Sequence, residues 1–145
     1  MAADAYLFDA RLVDHPGVEA RVALAPGDTL ATLHELLREA FGWDDPHLYS
    51  FWFDGEFWGD PATEYTSPDE VEVGQRSAVV ALAELDLEPG QEIAFIFDFG
   101  DQWRVLLTVA DLGTIEQALP CIVARRGNPP PQYPNYDEAD IGIDE

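Results

Sequence analysis

From Tyr6 to Leu12 the chain alternates: Tyr6, Phe8, Ala10 and Leu12 hold one phase, Asp9 and Arg11 the other. A period of two predicts a strand with one buried face. His15-Pro16-Gly17 reads as a turn. Val18, Ala20, Val22 and Leu24 then alternate against Glu19 and Arg21, predicting a hairpin whose register follows its apolar face. After Pro26-Gly27-Asp28 the period changes. Leu30, Leu33, Leu37, Ala40 and Phe41 recur at helical spacing, with Glu35, Arg38 and Glu39 on the other side. Asp28 or Thr29 can cap the first turn, and Gly42 suits a left-handed terminus. One helix over residues 29–41 is expected, lying in the concave face of a sheet.

The second half of the chain reads as strands. Leu48 to Phe53, the turn Asp54-Gly55 and the return Glu56 to Trp58 form an expected hairpin, with Trp52 opposite Phe57 and Phe51 opposite Trp58. Asp60 to Gln75 reads as a surface loop, and Ala78 to Leu87 as either a short strand or a helical turn. Past the turn Glu88-Pro89-Gly90-Gln91, the residues Ile93, Phe95, Phe97 and Phe99 define one strand face; Trp103, Val105, Leu107 and Val109 define the next. If Phe99 and Trp103 both face the core, the loop is Gly100-Asp101-Gln102 and Asp98 stands opposite Arg104, a pair contributing about 0.2–1 kcal/mol. Ala118 to Ala124 is a last strand candidate. Arg125-Arg126-Gly127 and the prolines after it read as loop or extended chain.

These elements predict an α+β fold: a single domain with a curved, mainly antiparallel sheet of about five to seven strands around one long helix. The domain is expected over residues 1–131, with 132–145 an acidic tail carrying Asp137, Glu138, Asp140, Asp144 and Glu145.

Charge narrows the function classes. Acidic residues number 29, basic residues seven, all arginine, for a net charge of −22. Such a surface repels phosphate backbones, which argues against direct nucleic-acid binding. The acidic coat reads as a solubility adaptation, or as mimicry of DNA phosphates. The first is favoured, because the acids are spread along the chain and form no regular stripe. Cys121 is the only cysteine, so no intramolecular disulfide is expected, which suits a reducing cytoplasm. No apolar run approaches the roughly 18 residues of a membrane span. MAADAYLFDARL has no basic region followed by an apolar core, so neither membrane nor signal peptide is expected.

Two constellations carry chemical potential. Asp44, Asp45, His47, Asp98 and Asp101, joined by His34, are oxygen and imidazole donors of the kind that hold a divalent cation and activate water. Their spacing matches no defined metal loop; turn-forming roles for the aspartates and a core role for His34 are the competing readings, and no cofactor is expected. His47, Asp98 and Asp101 are the catalytic candidates; Asp44, Asp45 and His47 are the metal candidates. The second constellation is aromatic, since eight of the seventeen aromatic residues lie between Phe41 and Asp60. Trp52, Phe57 and Trp58 would form a platform for a peptide, a partner or a small ligand if exposed, or sit in a sheet covered on both sides or at a dimer interface if not. Arg125 and Arg126, the only adjacent basic pair, could recognise a carboxylate or phosphate.

The blocks PGDTLATLHELLREAFGWDDPHLYSF, WFDGEFWGDP and LEPGQEIAFIFDFGDQWRVLLTV resemble the Ri-plasmid open-reading-frame-3-like family, whose members are also labelled insertion-element passenger proteins or TnpR. The resemblance covers about Ala5 to Val109. It implies an antiparallel sheet curled around a central helix, and implies no reaction. The chain departs from the family pattern at Val18-Glu19-Ala20-Arg21-Val22 and at Arg125 to Pro131. The resulting expectation is a cytoplasmic, plasmid- or mobile-element-associated, non-catalytic module that binds a protein partner, as monomer or homodimer. A metal-dependent hydrolase-like enzyme and an acidic DNA mimic are the alternatives.

Overall fold

A computed structural model describes residues 3–72, 74–110, 113–115 and 117–132. The expected acidic tail lies outside the described residues beyond Gln132. Among the described residues, nine strands and one α-helix are ordered as β1 Ala3–Leu12, β2 Glu19–Leu24, α1 Leu30–Phe41, β3 Tyr49–Trp52, β4 Glu64–Thr66, β5 Arg76–Ser77, β6 Glu92–Phe97, β7 Trp103–Val109, β8 Gly113–Ile115 and β9 Cys121–Arg126. Eight strands run in the order β5-β4-β3-β6-β7-β1-β2-β9, with β8 beside the start of β1. Among the described strands only β4 and β5 pair in parallel. The α+β architecture is as expected. The strand count exceeds the expected range because β5 and β8 are too short to leave a periodic signal.

The helix forms where the pattern places it. Thr29 Oγ1 accepts from the Thr32 amide at 3.2 Å, and Gly42, at φ 77°, ends the helix with its amide directed to the Arg38 carbonyl. Asp28 instead braces the preceding turn, its carboxylate accepting from the Ala25 amide at 2.8 Å. A 12-residue helix is only about 18 Å long and marginal in isolation. A cap contributes about 1 kcal/mol. Burying Leu30, Leu33, Leu36, Leu37 and Phe41 contributes about 1.5–3 kcal/mol each, so packing decides.

The sheet reaches α1 from both ends. Beyond β5, the amides of Leu30 and Ala31 donate to the Val80 and Ala78 carbonyls, and Thr29 bridges Ala81. At the other end, Leu36 and Glu39 face Pro120 to Arg125 across a gap of about 540 Å³. A sheet meeting one helix with both edges must curl around it. The inner face carries Phe8, Val22, Phe51, Phe95, Phe97, Val105 and Leu107 in one core with the helix.

Four expectations are corrected. First, Glu56–Trp58 is no return strand: β3 pairs with β4, setting Phe51 opposite Tyr65 and Trp52 opposite Glu64. The Asp54-Gly55 turn forms, but the Asp54 carboxylate then accepts from the Glu56 and Asp60 amides and folds the segment into a compact loop. Second, the supposed loop from Asp60 to Gln75 therefore holds β4, hidden because Glu64-Tyr65-Thr66 is only three residues long. Third, β6 and β7 pair with Phe97 opposite Trp103 and Ile96 opposite Arg104. The loop spans Asp98 to Gln102, and Asp98 at φ 67° leaves the strand, so Phe99 packs on the outer face and Trp103 on the inner. Asp98 does not pair with Arg104. Fourth, Arg125 and Arg126 belong to β9, opposite Ala20 and Glu19.

Candidate functional site

The helix exit is built by backbone contacts. Arg38 donates through Nε to the Trp43 carbonyl at 3.0 Å and through Nη2 to the Asp44 carbonyl, while Gln132 brackets Asp45, accepting from its amide and donating to its carbonyl, both at 3.0 Å. Asp44 and Asp45 thus serve as turn residues in a clamp that also ties down the C-terminal arm. Gln132 was not foreseen; its 87-residue separation from Asp45 leaves no local signal.

His34 lies in the core, 7% exposed, its ring stacked on Tyr49 at 3.7 Å. Burial, helped by the Arg38 guanidinium, pushes the imidazole down to about 3, and burial pushes the Tyr49 hydroxyl up. The 3.4 Å approach of His34 Nδ1 to Glu35 is therefore a contact of a neutral ring, not an ion pair. His34 Nε2 is buried without a hydrogen-bond partner.

His47 and Asp98 do meet, with Nε2 to Oδ2 at 3.4 Å and the imidazole one-third exposed. Asp98 Oδ1 meanwhile accepts from the Gly100 and Asp101 amides, at 3.1 and 3.3 Å, and holds the β6–β7 loop. Among the described residues, no three His, Cys, Asp or Glu side chains gather as a metal-holding group. Asp44, Asp45, His47, Asp98 and Asp101 thus supply one carboxylate–imidazole contact and a set of turns.

The aromatic residues of the second constellation assemble on the outer face. Trp52 is 2% exposed and forms a small cluster with Ala94 and Ile96, against which Phe57 and Phe99 pack. Trp58 covers Trp52 at 5.2 Å between ring centroids, lies 5.3 Å from Phe99, and remains 49% exposed. The ring is fixed: its Nε1 donates to Gln102 Oε1 at 3.1 Å, an oxygen that also accepts from Arg104 Nη2 at 2.9 Å. Arg104 in turn lies over the Phe57 ring at 5.7 Å. Trp58, Asp98 and Gln102 all have positive φ, at 55°, 67° and 54°. Such conformations cost about 1–3 kcal/mol each and persist where the surroundings over-determine them, often at working surfaces. Trp52 thus supports, and Trp58 presents. The sequence showed the rings but not their contacts with Gln102, which arrives from the β6–β7 loop, and Arg104, which arrives from β7.

Arg126 Nη1 stands 4.0 Å from Glu19, and Arg125 takes the phase of Ala20 and lines the gap facing Glu39.

No match was found among curated proteins. Among solved structures, the crystal structure of a protein of unknown function, MM3350 from Methanosarcina mazei Go1, is similar, with a TM-score of 0.70 at 18% identity over 89% of this chain and 72% of that one. At that identity the likeness concerns the fold: the same kind of sheet and helix supports two distant sequences. The family model described as plasmid pRiA4b ORF-3-like protein matches residues 11–134, which includes β1 from Arg11, the helix, the Trp58 loop and all of β9. The chain belongs to the plasmid pRiA4b ORF-3-like family.

Proposed function

We propose that the chain is a non-catalytic protein-interaction module that docks a partner on the outer face of its sheet, with Trp58 as the anchor and Phe57, Phe99 and Arg104 around it. The observation that carries this reading is a half-exposed tryptophan locked by an indole hydrogen bond in a left-handed backbone conformation. A side chain meant only to cover Trp52 needs neither the exposure nor the strain. A tryptophan buries 150–250 Å² when covered, so sealing the exposed half gains about 2–3 kcal/mol at roughly 25 cal/mol per Å². That is the size of an interface hot spot, and Trp and Arg are the residues that make them. The lone cysteine and the plasmid family suit a cytoplasmic setting in a plasmid- or mobile-element-bearing cell.

The test uses wild-type and Trp58→Ala proteins as baits in lysate of the native host, followed by direct titration of any protein that only the wild type retains. Trp58→Ala is expected to weaken the purified pair by about 30-fold, the equivalent of 2 kcal/mol, with an unchanged circular dichroism spectrum. Equal affinity of both baits for every retained protein overturns the reading.

A further inference from the structure

We infer that the outer face of β7, β1, β2 and β9 is a docking surface for an acidic segment of the partner protein, read by Arg104, Arg11, Arg21 and Arg126. This rests on the interaction-module reading and names the chemistry of its partner.

The argument begins with where the cations go. The chain has no lysine and seven arginines against 29 acids. The pairing of Arg104 with Ile96, Arg11 with Leu106, Arg21 with Asp9 and Arg126 with Glu19 puts four of the seven on this one face. Antiparallel partners in register project to the same side of a sheet. A depression of about 730 Å³ is lined there by Asp9, Arg11, Glu19, Arg21, Thr108 and Arg126 among others. Its two carboxylates offset part of this charge: Asp9 forms a bidentate pair with Arg21, at 2.7 and 2.9 Å, and Glu19 stands 4.0 Å from Arg126, which leaves Arg11 and the neighbouring Arg104 in excess. Arg11 is exposed and makes no ion pair among the described residues. A molecule of net charge −22 thus keeps a cationic island on one sheet face.

The island extends toward the Trp58 surface. A second depression, of about 350 Å³, starts at Arg11 and Glu19 and reaches Phe57, the chain neighbour of Trp58, past Val13, Pro16 and Leu106, with Val13 exposed. Guanidinium groups match carboxylates as two-pronged donors, and the apolar strip takes an aliphatic side chain. The fitting occupant is an extended protein segment that mixes Asp or Glu with one apolar anchor. Long-range repulsion from the rest of the molecule acts on any anion and favours a segment with only a few carboxylates; a nucleic-acid strand fits less well, since it carries a charge at every nucleotide, lacks the aliphatic anchor and meets too few cations to displace its counterions.

The test is a fluorescence-anisotropy titration of the full chain with a labelled oligo-glutamate peptide carrying one central leucine. Oligo-lysine with the same leucine and a single-stranded oligothymidine of equal charge serve as comparison probes. The glutamate peptide is expected to bind, to weaken at least tenfold with Arg11→Gln/Arg126→Gln, and to weaken as salt rises from about 0.02 to about 0.5 M. Arg76→Gln, on the far edge strand, leaves binding unchanged. The inference is overturned if the glutamate peptide does not bind, if the double variant binds it equally, or if oligothymidine binds as tightly. These arms leave Trp58 intact. A protein that ignores the peptide yet loses its native partner through Trp58→Ala keeps the anchor reading and loses the acidic specificity.

Discussion

At the scale of single residues, His34 links packing to pH. Its folded pKa, about 3, lies below the ordinary value near 6.5 because the ring is buried among Tyr49, Phe95 and Phe97. The unfolded chain therefore binds more protons between those values. The contribution of neutral His34 is complete above pH about 6.5 and is lost progressively as pH falls toward 3. Comparison with His34→Phe isolates this effect from the carboxylates, which titrate in both proteins. The two are expected to lie within about 1 kcal/mol of each other at pH 7.5, where the orphaned Nε2 and the lost polar contacts offset. By pH 4.5 the variant should be the more stable by about 2 kcal/mol, read from urea unfolding at each pH. Parallel pH profiles would show that the imidazole is protonated within the fold. Glycines make a second residue-scale comparison. Gly42 and Gly127 share φ 77°, but a Cβ on Gly42 meets open space, whereas one on Gly127 would strike the Gly17 carbonyl and Val18 Cα. Gly42→Ala is expected to cost about 1 kcal/mol, and Gly127→Ala about 3 kcal/mol, because overpacking adds to the strain. Denaturant midpoints check the order.

At the scale of elements, the segment from Phe53 to Thr63 decides what the outer face presents. The Asp60 and Glu56 amides hold the Asp54 carboxyl below the usual range, and a Cβ on Gly59 would collide with that carboxylate and with the Glu56 carbonyl. The loop is therefore a tight scaffold around Trp58. Asp54→Ala is expected to leave the thermal midpoint nearly unchanged while weakening partner binding about as much as Trp58→Ala. It should also raise hydrogen exchange at the Glu56 and Asp60 amides. Retained affinity with faster exchange would separate the loop's order from binding. The β6–β7 loop is the second half of the device, since Gln102 holds the indole and Asp98 holds Gln102 through its backbone carbonyl. Pattern reading found the Asp54-Gly55 turn and part of the β6–β7 loop, but took Glu56–Trp58 for a strand and missed the joint, because the Trp58–Gln102 contact spans 44 residues.

At the scale of the whole molecule, net charge opposes compactness. With −22 on one domain, self-repulsion is screened by salt, whose Debye length falls from about 10 Å at 0.1 M to about 3 Å at 1 M. The thermal midpoint is expected to rise over that range, and a flat or falling midpoint would mean that the acids are locally compensated. On the proposed reading the acidic coat and the arginine face have separate roles: the first repels phosphate polymers, the second supplies a local exception. How much of this was legible in sequence follows from the range of each interaction. Thr29, the leucine spacing and Gly42 determined the helix, because caps and periodicity act within a few residues. The alternation in β1 and β2 determined their hairpin and buried phase, since a slip of one residue would turn the apolar set to water. The sequence could not decide that β3 chooses β4, that Asp98 turns left-handed and sends Phe99 outward, or that Trp58 stops on Gln102. Nor could it gather four scattered arginines on one face. Those outcomes rest on which distant segments meet, a choice set by the closure of the whole core around α1 and by no local preference along the chain.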